Sequence, residues 1–333
     1  MGFAWEDGER LIRFGAGVVA YSPDLLAERG FVGYALLASE RTLAMAPALA
    51  DDAAVVLQVP AGPVAEAARA VLDGAHGRPV VGLGGGRVVD SAKSVAAVNG
   101  LACAAIPTTL SGAELSRRHR LPQGFEGTPL VRPSLVIADP KLMASQPTPD
   151  LAGSAMNALG HALEALYVPS ANPVAGLAAL EGTALIARGL APEEPGRDEV
   201  ALGSLLAGYA LGATGLAVHH VVCQTLVRLA GTAHAQTNAV MLPHSVRLMA
   251  SRVPHEIGRF AAALGSGSAD PAAAGDLVTP LAARSGVSAL SQLGVAAGVL
   301  PGVARAMIAR AELAHTPSAP DEAELLALLH AAL

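Results

Sequence analysis

The chain has 333 residues, enough for about two domains of ordinary size, and its formal net charge at pH 7 is −6. This charge excludes the basic surface that a nucleic-acid partner requires. Hydrophobic residues make up 52% of the chain and charged residues 15%, which excludes a disordered protein. The two cysteines, Cys103 and Cys223, cannot form a disulfide framework and are typical of a reducing compartment.

Two stretches of sequence bear on location. The N-terminus carries Glu6 and Asp7 where a signal peptide would be basic, so we expect no signal peptide. The stretch from Val200 to Val227 contains no Asp, Glu, Lys or Arg and is long enough to cross a bilayer. It also contains His219, His220 and Gln224, which would be costly against lipid, so we interpret it as a helix buried in a soluble core. We therefore expect a cytoplasmic protein with no membrane partner.

The first half of the chain alternates short apolar runs with helical segments. The runs are Tyr34–Ala38, Ala54–Leu57, Pro79–Leu83, Ala104–Ile106 and Ser134–Ala138. Continuous apolar character is typical of parallel strands that are covered on both faces. Val64 to Leu72 and Val88 to Val98 are predicted helices, which gives a βαβ order.

After Asp139 and Pro140 the sequence becomes rich in alanine and leucine, with frequent prolines and no predicted strand. We therefore predict an α/β domain with a parallel sheet over residues 1–147 and an all-helical domain over residues 148–333. The segment from Gly265 to Gly275 is the predicted internal loop. A cleft between two such domains is the default place for a site.

The most informative motif is Gly82-Leu83-Gly84-Gly85-Gly86, which follows a predicted strand and opens a predicted helix. Glycines let backbone N–H groups approach a phosphate closely, and a helix N-terminus favours its negative charge. The motif departs from G-x-G-x-x-G because Arg87 stands at the last position. A tight strand-to-helix turn without a ligand explains the same residues.

Hydroxyl side chains follow the next predicted strand, at Thr108, Thr109 and Ser111. The carboxyl end of a strand in an open α/β sheet is where ligands bind, so these hydroxyls are candidates for a ligand site. Ser111 as an ordinary helix N-cap is the alternative.

Three histidines are candidates for catalysis or metal binding in the second half. Asn157 and His161 are four residues apart, which places them on one face of a helix, and His220 with Gln224 repeats this spacing. His234 follows. Imidazoles that converge could hold a divalent metal or transfer a proton, whereas each one alone is more often structural.

A basic run, Arg117-Arg118-His119-Arg120, follows the hydroxyl motif. Arginine forks suit carboxylates and phosphates, so we predict Arg117 and Arg120 as a clamp for an acidic substrate. A solvated loop is the alternative.

Taken together, these motifs resemble the iron-containing (group III) alcohol dehydrogenase superfamily over nearly the whole chain. The matching residues, in family order, are Gly84, Gly85, Gly86, Asp90, Lys93, Pro107, Thr108, Thr109, Gly112, Glu114, Asp139, Pro140, Asn157, His161, Glu164, His220 and His234. The sequences around Asn157 and His219-His220-Val221-Val222-Cys223 look most similar to the maleylacetate reductase branch.

The resemblance implies a Rossmann-like dinucleotide-binding domain followed by a helical domain, the fold shared with dehydroquinate synthase. It also implies NAD(P)-dependent hydride transfer to or from a small, carboxylated carbonyl or enone substrate, in a homodimer. The residues it assigns to the cofactor are Gly84, Gly85, Gly86, Asp90, Thr108, Thr109 and Ser111, with Lys93 near the cofactor or substrate. Asn157 and Gln224 would line the substrate.

For catalysis the resemblance implies His161, His220, His234 and Lys93. Metal-dependent relatives use an aspartate and three histidines to hold iron or zinc, and the matching positions here are Asn157, His161, His220 and His234. Asn157 replaces the anionic ligand, which weakens a metal site without excluding it, and the maleylacetate reductase branch is thought to act without a metal. Gln224 stands where relatives commonly have a histidine, and a glutamine cannot relay protons.

The choice of nucleotide depends on the end of an early strand. Glu40 stands where an acidic residue binds the ribose hydroxyls, which favours NAD, whereas Arg41 leaves NADP open. Two other functions remain at this point. One is a non-redox biosynthetic cyclase, dehydratase or lyase on the same scaffold, since fold does not determine function. The other is a catalytically silent binding protein.

Overall fold

The computed structural model describes the backbone of residues 2–333 and the side chains from Asp7 onward. Contacts between Cα atoms divide the chain into two compact units, Met1–Ser145 and Gln146–Leu333. The boundary predicted from the sequence, between residues 147 and 148, remains a prediction of where the two functional domains divide.

The first unit contains one seven-stranded sheet. Its strands are β1 (Gly2–Asp7), β2 (Arg10–Gly15), β3 (Ala35–Ala38), β4 (Val55–Gln58), β5 (Val80–Gly84), β6 (Cys103–Pro107) and β7 (Leu135–Ala138). The spatial order is β1-β2-β7-β6-β5-β3-β4. All neighbouring strands are parallel except β1, which pairs antiparallel with β2. The predicted sheet therefore gains two strands at one edge that the apolar runs did not indicate.

Helices cover both faces of this sheet. They are α1 (Ser22–Glu28), α2 (Glu40–Leu43), α3 (Ala48–Asp51), α4 (Val64–Val71), α5 (Gly86–Asn99) and α6 (Pro140–Met143). Leu36 and Leu83 pack into the core on one face, together with Leu26 of α1 and Leu49 of α3. The alternate strand residues, such as Leu37 and Val80, pack on the other face against α4 and α5. The strands are buried on both faces, which explains their continuous apolar sequences.

The direction of the connections changes between β3 and β5. The chain leaves β3 for β4 on one side, whereas β5 leads to β6 on the other. The connecting helices α3 and α5 lie on opposite faces. A crevice opens at the carboxyl ends of such a pair of strands, and open α/β sheets bind their ligands there.

The second unit is entirely helical over residues 146–333. Its helices are α7 (Thr148–Ala165), α8 (Pro173–Leu190), α9 (Arg197–Ala213), α10 (Val218–Ala230), α11 (His234–Ala250), α12 (Pro254–Ala263), α13 (Ala274–Ala283), α14 (Leu300–Ile308) and α15 (Glu322–Ala331). Short 3₁₀ turns occur in both units. Those of the first unit are Val18–Tyr21 and Leu72–Ala75, and those of the second are Pro271–Ala273, Leu290–Leu293, Ala297–Val299 and Ala311–His315. The α/β-then-α fold class predicted from the sequence is confirmed.

Two predictions in the helical half require correction. The stretch from Val200 to Val227 is not one helix, because the chain breaks between α9 and α10 and bends by 100°. Within the described residues no single helix is long and apolar enough to cross a membrane. Only α9 and α10 taken together, as a bent pair, have the required length and apolar composition. The predicted loop from Gly265 to Gly275 is shorter than expected, since the turn Pro271–Ala273 leads directly into α13.

Candidate functional site

The glycine motif forms the turn between β5 and α5. Gly85 is the N-cap of α5, and no side chain of the described part of the chain caps the helix there. A Cβ on Gly84 would lie 2.7 Å from the Cβ of Val88, and a Cβ on Gly86 would lie 3.0 Å from the Cβ of Ser111. Both positions therefore require glycine for packing. The result is a bare helix N-terminus whose first N–H groups can receive an anion.

The hydroxyl motif packs directly against this turn. A Cβ on Gly85 would lie 3.1 Å from Cγ2 of Thr109, and the Thr108 N–H donates to the Gly84 carbonyl at 3.0 Å. The Thr108 side chain is fully buried, and its Oγ1 has no hydrogen-bond partner among the described residues. A buried hydroxyl without a partner is costly, so a ligand atom there would stabilise it. The two motifs thus form one surface, the glycine–threonine cradle (residues 84–86 and 108–111).

Glu40 lies at the same edge of the sheet. It is the first residue of α2, directly after Ser39, which caps that helix at the carboxyl end of β3. Thr42 ties α2 to β5 by donating from Oγ1 to the Leu83 carbonyl at 2.9 Å. The exposed Glu40 and the cradle therefore flank the β3–β5 crevice, where an acidic side chain is placed to accept from ribose hydroxyls.

Lys93 does not fit the catalytic role predicted for it. Its side chain is completely buried, and Nζ donates to the carbonyls of Ala113, Ser116 and Arg118 at 2.7, 3.0 and 2.7 Å. The Asp90 carboxylate lies 2.7 Å from the same nitrogen. Three backbone carbonyls use all three N–H donors of an ammonium, so Lys93 anchors the loop that follows the cradle.

The predicted arginine clamp also requires correction. Exposed Arg117 lines a depression that is also lined by Glu9, Arg10 and Ser134. Glu9 and Arg10 lie at the start of β2, and Ser134 directly precedes β7. These residues lie at the amino ends of the strands, whereas the cradle lies at the carboxyl ends. Arg117 is therefore at the opposite edge of the sheet within its own unit. Arg120 is exposed as well, and among the residues whose side chains are described no hydrogen bond orients it toward the cradle.

Three helices of the second unit bring the predicted histidines together. α7 carries Asn157 and His161, α10 carries His220, and α11 begins at His234. The rings of His161 and His220 stack with centroids 4.6 Å apart. Oδ1 of Asn157 lies 3.4 Å from Nε2 of His220 and 3.2 Å from Nε2 of His234. The four residues, the histidine cluster, thus converge around the Asn157 amide.

Burial determines the charge of this cluster. It lowers the pKa of His161 well below its usual range, with neighbouring histidines adding to the effect. Burial also lowers the pKa of His234. Uncharged rings can each donate one hydrogen bond and accept another, which suits the orientation of a polar substrate atom.

Glu164 lies directly behind His220 and is fully buried. Its Oε2 is 2.7 Å from Nδ1 of His220, and its Oε1 accepts from the His220 backbone N–H at 3.1 Å. Burial raises the pKa of this carboxyl to about 7, against the opposing effect of His219 and of backbone N–H groups. Glu164 is thus the carboxyl group in contact with the cluster.

A second line of hydrogen bonds supports the neighbouring ring of His219. The Asn238 amide donates from Nδ2 to the His234 carbonyl at 2.8 Å, which leaves its Oδ1 facing Nε2 of His219 at 3.0 Å. His219 therefore carries its proton on Nε2, and its Nδ1 accepts from the Ser245 hydroxyl at 3.0 Å. Burial lowers the pKa of His219 to about 3, so the ring is neutral.

Room for these rings comes from a glycine on α7. A Cβ on Gly160 would lie 2.6 Å from Nε2 of His219. The absent side chain lets α7 approach the start of α10 closely.

Gln224 lies one turn after His220 on α10. Its Oε1 accepts from Nη2 of Arg310 at 2.8 Å, and Nε of Arg310 lies 3.2 Å from Oε2 of Glu312. Arg310 thus places a largely buried guanidinium beside Gln224.

The donor set does not fit a divalent cation in the arrangement described. Three imidazoles and an amide offer no anionic ligand, and the described residues contain no group of three His, Cys, Asp or Glu side chains suited to a metal. The planes of His161 and His220 differ by only 8°, so their in-plane lone pairs cannot both point at one ion.

Four residues that are hydrogen-bonded to His219, His220, His234 or Gln224 were not among the site residues predicted from sequence, although the family pattern includes Glu164. Glu164 follows His161 by three residues and Asn238 follows His234 by four, so helical spacing could have indicated both. Ser245 and Arg310 carry no such signal, because they reach the site from distant positions in the chain.

Comparisons with known proteins agree with the motifs. The family model described as "Fe-containing alcohol dehydrogenase family, C-terminal" matches residues 151–333, and the model "Iron-containing alcohol dehydrogenase" matches residues 13–147. The chain is 33% identical to maleylacetate reductase of Sphingobium indicum over 290 residues, which is 82% of each chain.

Maleylacetate reductase 1 of Rhodococcus opacus is 39% identical over 228 residues, which covers 65% of this chain and 62% of that protein. The matched region thus spans less than two thirds of that relative's length. The crystal structure of maleylacetate reductase from Rhizobium sp. superposes with a TM-score of 0.84 at 28% identity, covering 100% of this chain and 98% of that one. The chain belongs to the iron-containing alcohol dehydrogenase family, within which it groups with the maleylacetate reductases.

Proposed function

We propose that the protein is an NAD(P)-dependent oxidoreductase of the maleylacetate reductase type. It reduces a small, carboxylated carbonyl or enone compound and prefers NADH over NADPH. The observation that carries this proposal is the glycine–threonine cradle at the β3–β5 crevice, with its uncapped helix N-terminus and the buried Thr108 hydroxyl. The cradle suits a pyrophosphate, and Glu40 beside it suits ribose hydroxyls.

The fit of a dinucleotide is supported by the packing of the cradle. Gly84, Gly85 and Gly86 carry no side chains of their own, and their absence lets the hydroxyl side chains of Thr109 and Ser111 pack beside the first turn of α5. Backbone N–H groups and hydroxyls that lie together in this way suit a phosphate. Asp90 acts indirectly in this proposal, since its carboxylate pairs with Lys93, which holds the loop that follows the cradle.

Proton transfer and substrate orientation are assigned to the histidine cluster. A bound reduced nicotinamide supplies the hydride. The neutral rings of His161 and His234 donate hydrogen bonds to the substrate oxygen that gains negative charge.

The acidic part of the substrate is assigned to Arg310 rather than to Arg117 or Arg120. Arg310 contacts Gln224, which lies one turn from His220. An oriented guanidinium at this position can pair with a substrate carboxylate. The relatives named maleylacetate reductase support an acidic substrate.

The first test is a fluorescence titration of the purified protein with NADH and with NADPH, with its metal content measured on the same sample. We expect saturable binding with a lower Kd for NADH, followed by turnover of NADH when maleylacetate is added. Absence of binding by either nucleotide would overturn hydride transfer and favour non-redox chemistry on the same scaffold.

The assembly state completes the proposal. The family resemblance implies a homodimer, and light scattering of the purified protein measures its mass in solution. A monomer mass at working concentrations would contradict this part alone.

A further inference from the structure

The first turn of α10 is capped by a side chain from another helix. Ala217, its N-cap, has no side chain that could accept a hydrogen bond. Glu164 of α7 takes that role, since its Oε1 accepts from the backbone N–H group of His220 at 3.1 Å. The backbone N–H groups of Ala217 and His219 also favour the charged form and act to lower the pKa of this carboxyl. The four first N–H groups of a helix require such acceptors when they are buried.

The same carboxylate also contacts the ring of His220. Glu164 therefore contacts His220 of α10 twice. Its Oε1 accepts from the His220 backbone N–H at 3.1 Å, and its Oε2 lies 2.7 Å from Nδ1 of the ring. Backbone N–H groups can only donate, and the positive end of the helix dipole favours a negative group at this position. Glu164 is thus oriented as an acceptor toward Nδ1 of His220.

We propose that Glu164 is a positioning residue for His220. It holds the ring with its proton on Nδ1, so that Nε2 faces the Asn157 amide as an acceptor. Its effect on turnover rests on the proposed function, whereas its effect on the ring does not. A carboxylate behind an imidazole determines the tautomer and the orientation of the ring in this way.

This tautomer gives a reason for an amide at position 157. An Asn157 side chain can donate from Nδ2 to Nε2 of His220. An aspartate at this position would place a carboxylate oxygen, which can only accept, against the lone pair of the same Nε2. The oxygen and the nitrogen of an amide have nearly the same shape, so Nδ2 can occupy the position that lies 3.4 Å from Nε2 of His220. The same amide atom lies 3.2 Å from Nε2 of His234, so its second N–H donates to that ring. The hydrogen-bond donor to a substrate oxygen then comes from His161 or from Nδ1 of His234.

The test determines directly which nitrogen of the His220 ring carries the proton. ¹⁵N NMR of the histidine-labelled protein as purified, with the His220 signal assigned through its loss in His220→Asn, reports which ring nitrogen carries the proton. We expect a protonated Nδ1 and an unprotonated Nε2. A proton on Nε2 in the wild type overturns the proposal, whether or not the protein turns over NADH.

Two substitutions at position 164 test the consequence for turnover. Glu164→Gln keeps an acceptor for the backbone N–H groups but turns an N–H donor toward Nδ1, so we expect the proton to move to Nε2. We expect kcat to fall roughly 10- to 100-fold with the KM for NADH unchanged. Glu164→Asp keeps the charge, and we expect it to retain the wild-type tautomer and to recover part of kcat.

Thr183→Val is the matched control. Thr183 is a fully buried residue of α8 whose hydroxyl donates to the Ala179 carbonyl. We expect it to alter thermal stability without changing the His220 signal or kcat. Equal losses of kcat in Thr183→Val and Glu164→Gln, with the same tautomer in both, would reduce Glu164 to a structural role. If the wild type shows the expected tautomer but no nicotinamide turnover, the proposed function fails and the positioning of His220 stands.

Discussion

The ammonium of Lys93 lies 2.7 Å from the carboxylate of Asp90, one turn earlier on α5, and is completely inaccessible to solvent. The pair lies beneath the loop that follows the cradle, because the same ammonium donates to three carbonyls of that loop. Loss of one partner of a buried ion pair leaves the other charge and several carbonyls without compensation.

Lys93→Ala should therefore destabilise the protein by about 3–5 kcal/mol. Chemical denaturation followed by circular dichroism measures the change. Arg117→Ala is the control, since an exposed residue should change stability by no more than about 0.5 kcal/mol. A stable Lys93→Ala variant that has lost only turnover would restore the catalytic role predicted from sequence.

Gly86→Ala should weaken nucleotide binding. The added methyl group would lie 3.0 Å from the Cβ of Ser111 and 3.1 Å from its Oγ, so the hydroxyl loop must move. Overpacking of this kind costs about 1–3 kcal/mol, and we expect the Kd for NADH to rise roughly tenfold or more. Gly127→Ala is the control, because a Cβ there meets nothing within 4 Å. Equal affinities in the two variants would show that NADH does not use the cradle.

Glu40→Ala should reduce the preference for NADH over NADPH. The carboxylate repels a 2′-phosphate and accepts from ribose hydroxyls, and like charges in contact cost several kcal/mol. We expect the ratio of kcat/KM for NADH to that for NADPH to fall about tenfold or more. Glu28→Ala, at the exposed end of α1, should leave the ratio unchanged. An unchanged ratio in Glu40→Ala would remove Glu40 from the cofactor site.

Arg310→Met should raise the KM for an acidic substrate and leave the KM for NADH unchanged. The substitution removes the guanidinium that Gln224 orients, while the apolar part of the side chain is kept. Loss of a charge-assisted hydrogen bond costs about 1.5–3 kcal/mol, so we expect an increase in KM of roughly ten- to a hundredfold. Arg188→Met removes an exposed arginine of α8 and serves as the control. Steady-state kinetics with maleylacetate decides the matter, and an equal KM in both variants would contradict the assignment.

Glu114→Gln should change how stability depends on pH. Glu114 is buried in the loop that follows the cradle, and burial raises the pKa of its carboxyl from 4.5 to about 7. A carboxyl with a raised pKa in the folded state destabilises the fold as pH rises, because folding retains a proton that the unfolded chain releases. The penalty is absent below pH 4.5 and complete above about 7.

The variant should thus gain stability relative to the wild type as pH rises through that window. Denaturation curves of both proteins at the same pH values give their difference in stability. The buried histidines affect both proteins equally, so their opposite dependence on pH cancels in this difference. A difference that stays constant with pH would show that Glu114 has an ordinary pKa in the folded protein.

Much of the fold follows from local sequence patterns. The five predicted strands became β3 to β7, because strands buried on both faces require unbroken apolar runs. The hairpin of β1 and β2 was missed, although Asp7-Gly8 is a turn signal between two strands and Asp7 pairs with Arg10. Its charged residues obscured the alternation.

The sequence by itself determined which residues share a helix face. Asn157 with His161, and His220 with Gln224, are four residues apart, and the period of the helix alone places each pair on one side. Likewise, the run of glycines after β5 determined a bare turn at the start of α5. These are properties of a few neighbouring residues, and they are independent of what packs around them.

Only the tertiary structure decided which of these groups meet. Contact between α7, α10 and α11 brings His161, His220 and His234 together and places Glu164 behind His220. The return of the loop after β6 carries Arg117 to the amino ends of the strands, and burial converts Lys93 from a candidate catalyst into an anchor. Hydrogen bonds over such separations depend on how helices and strands pack, and residue spacing along the chain carries no information about that packing.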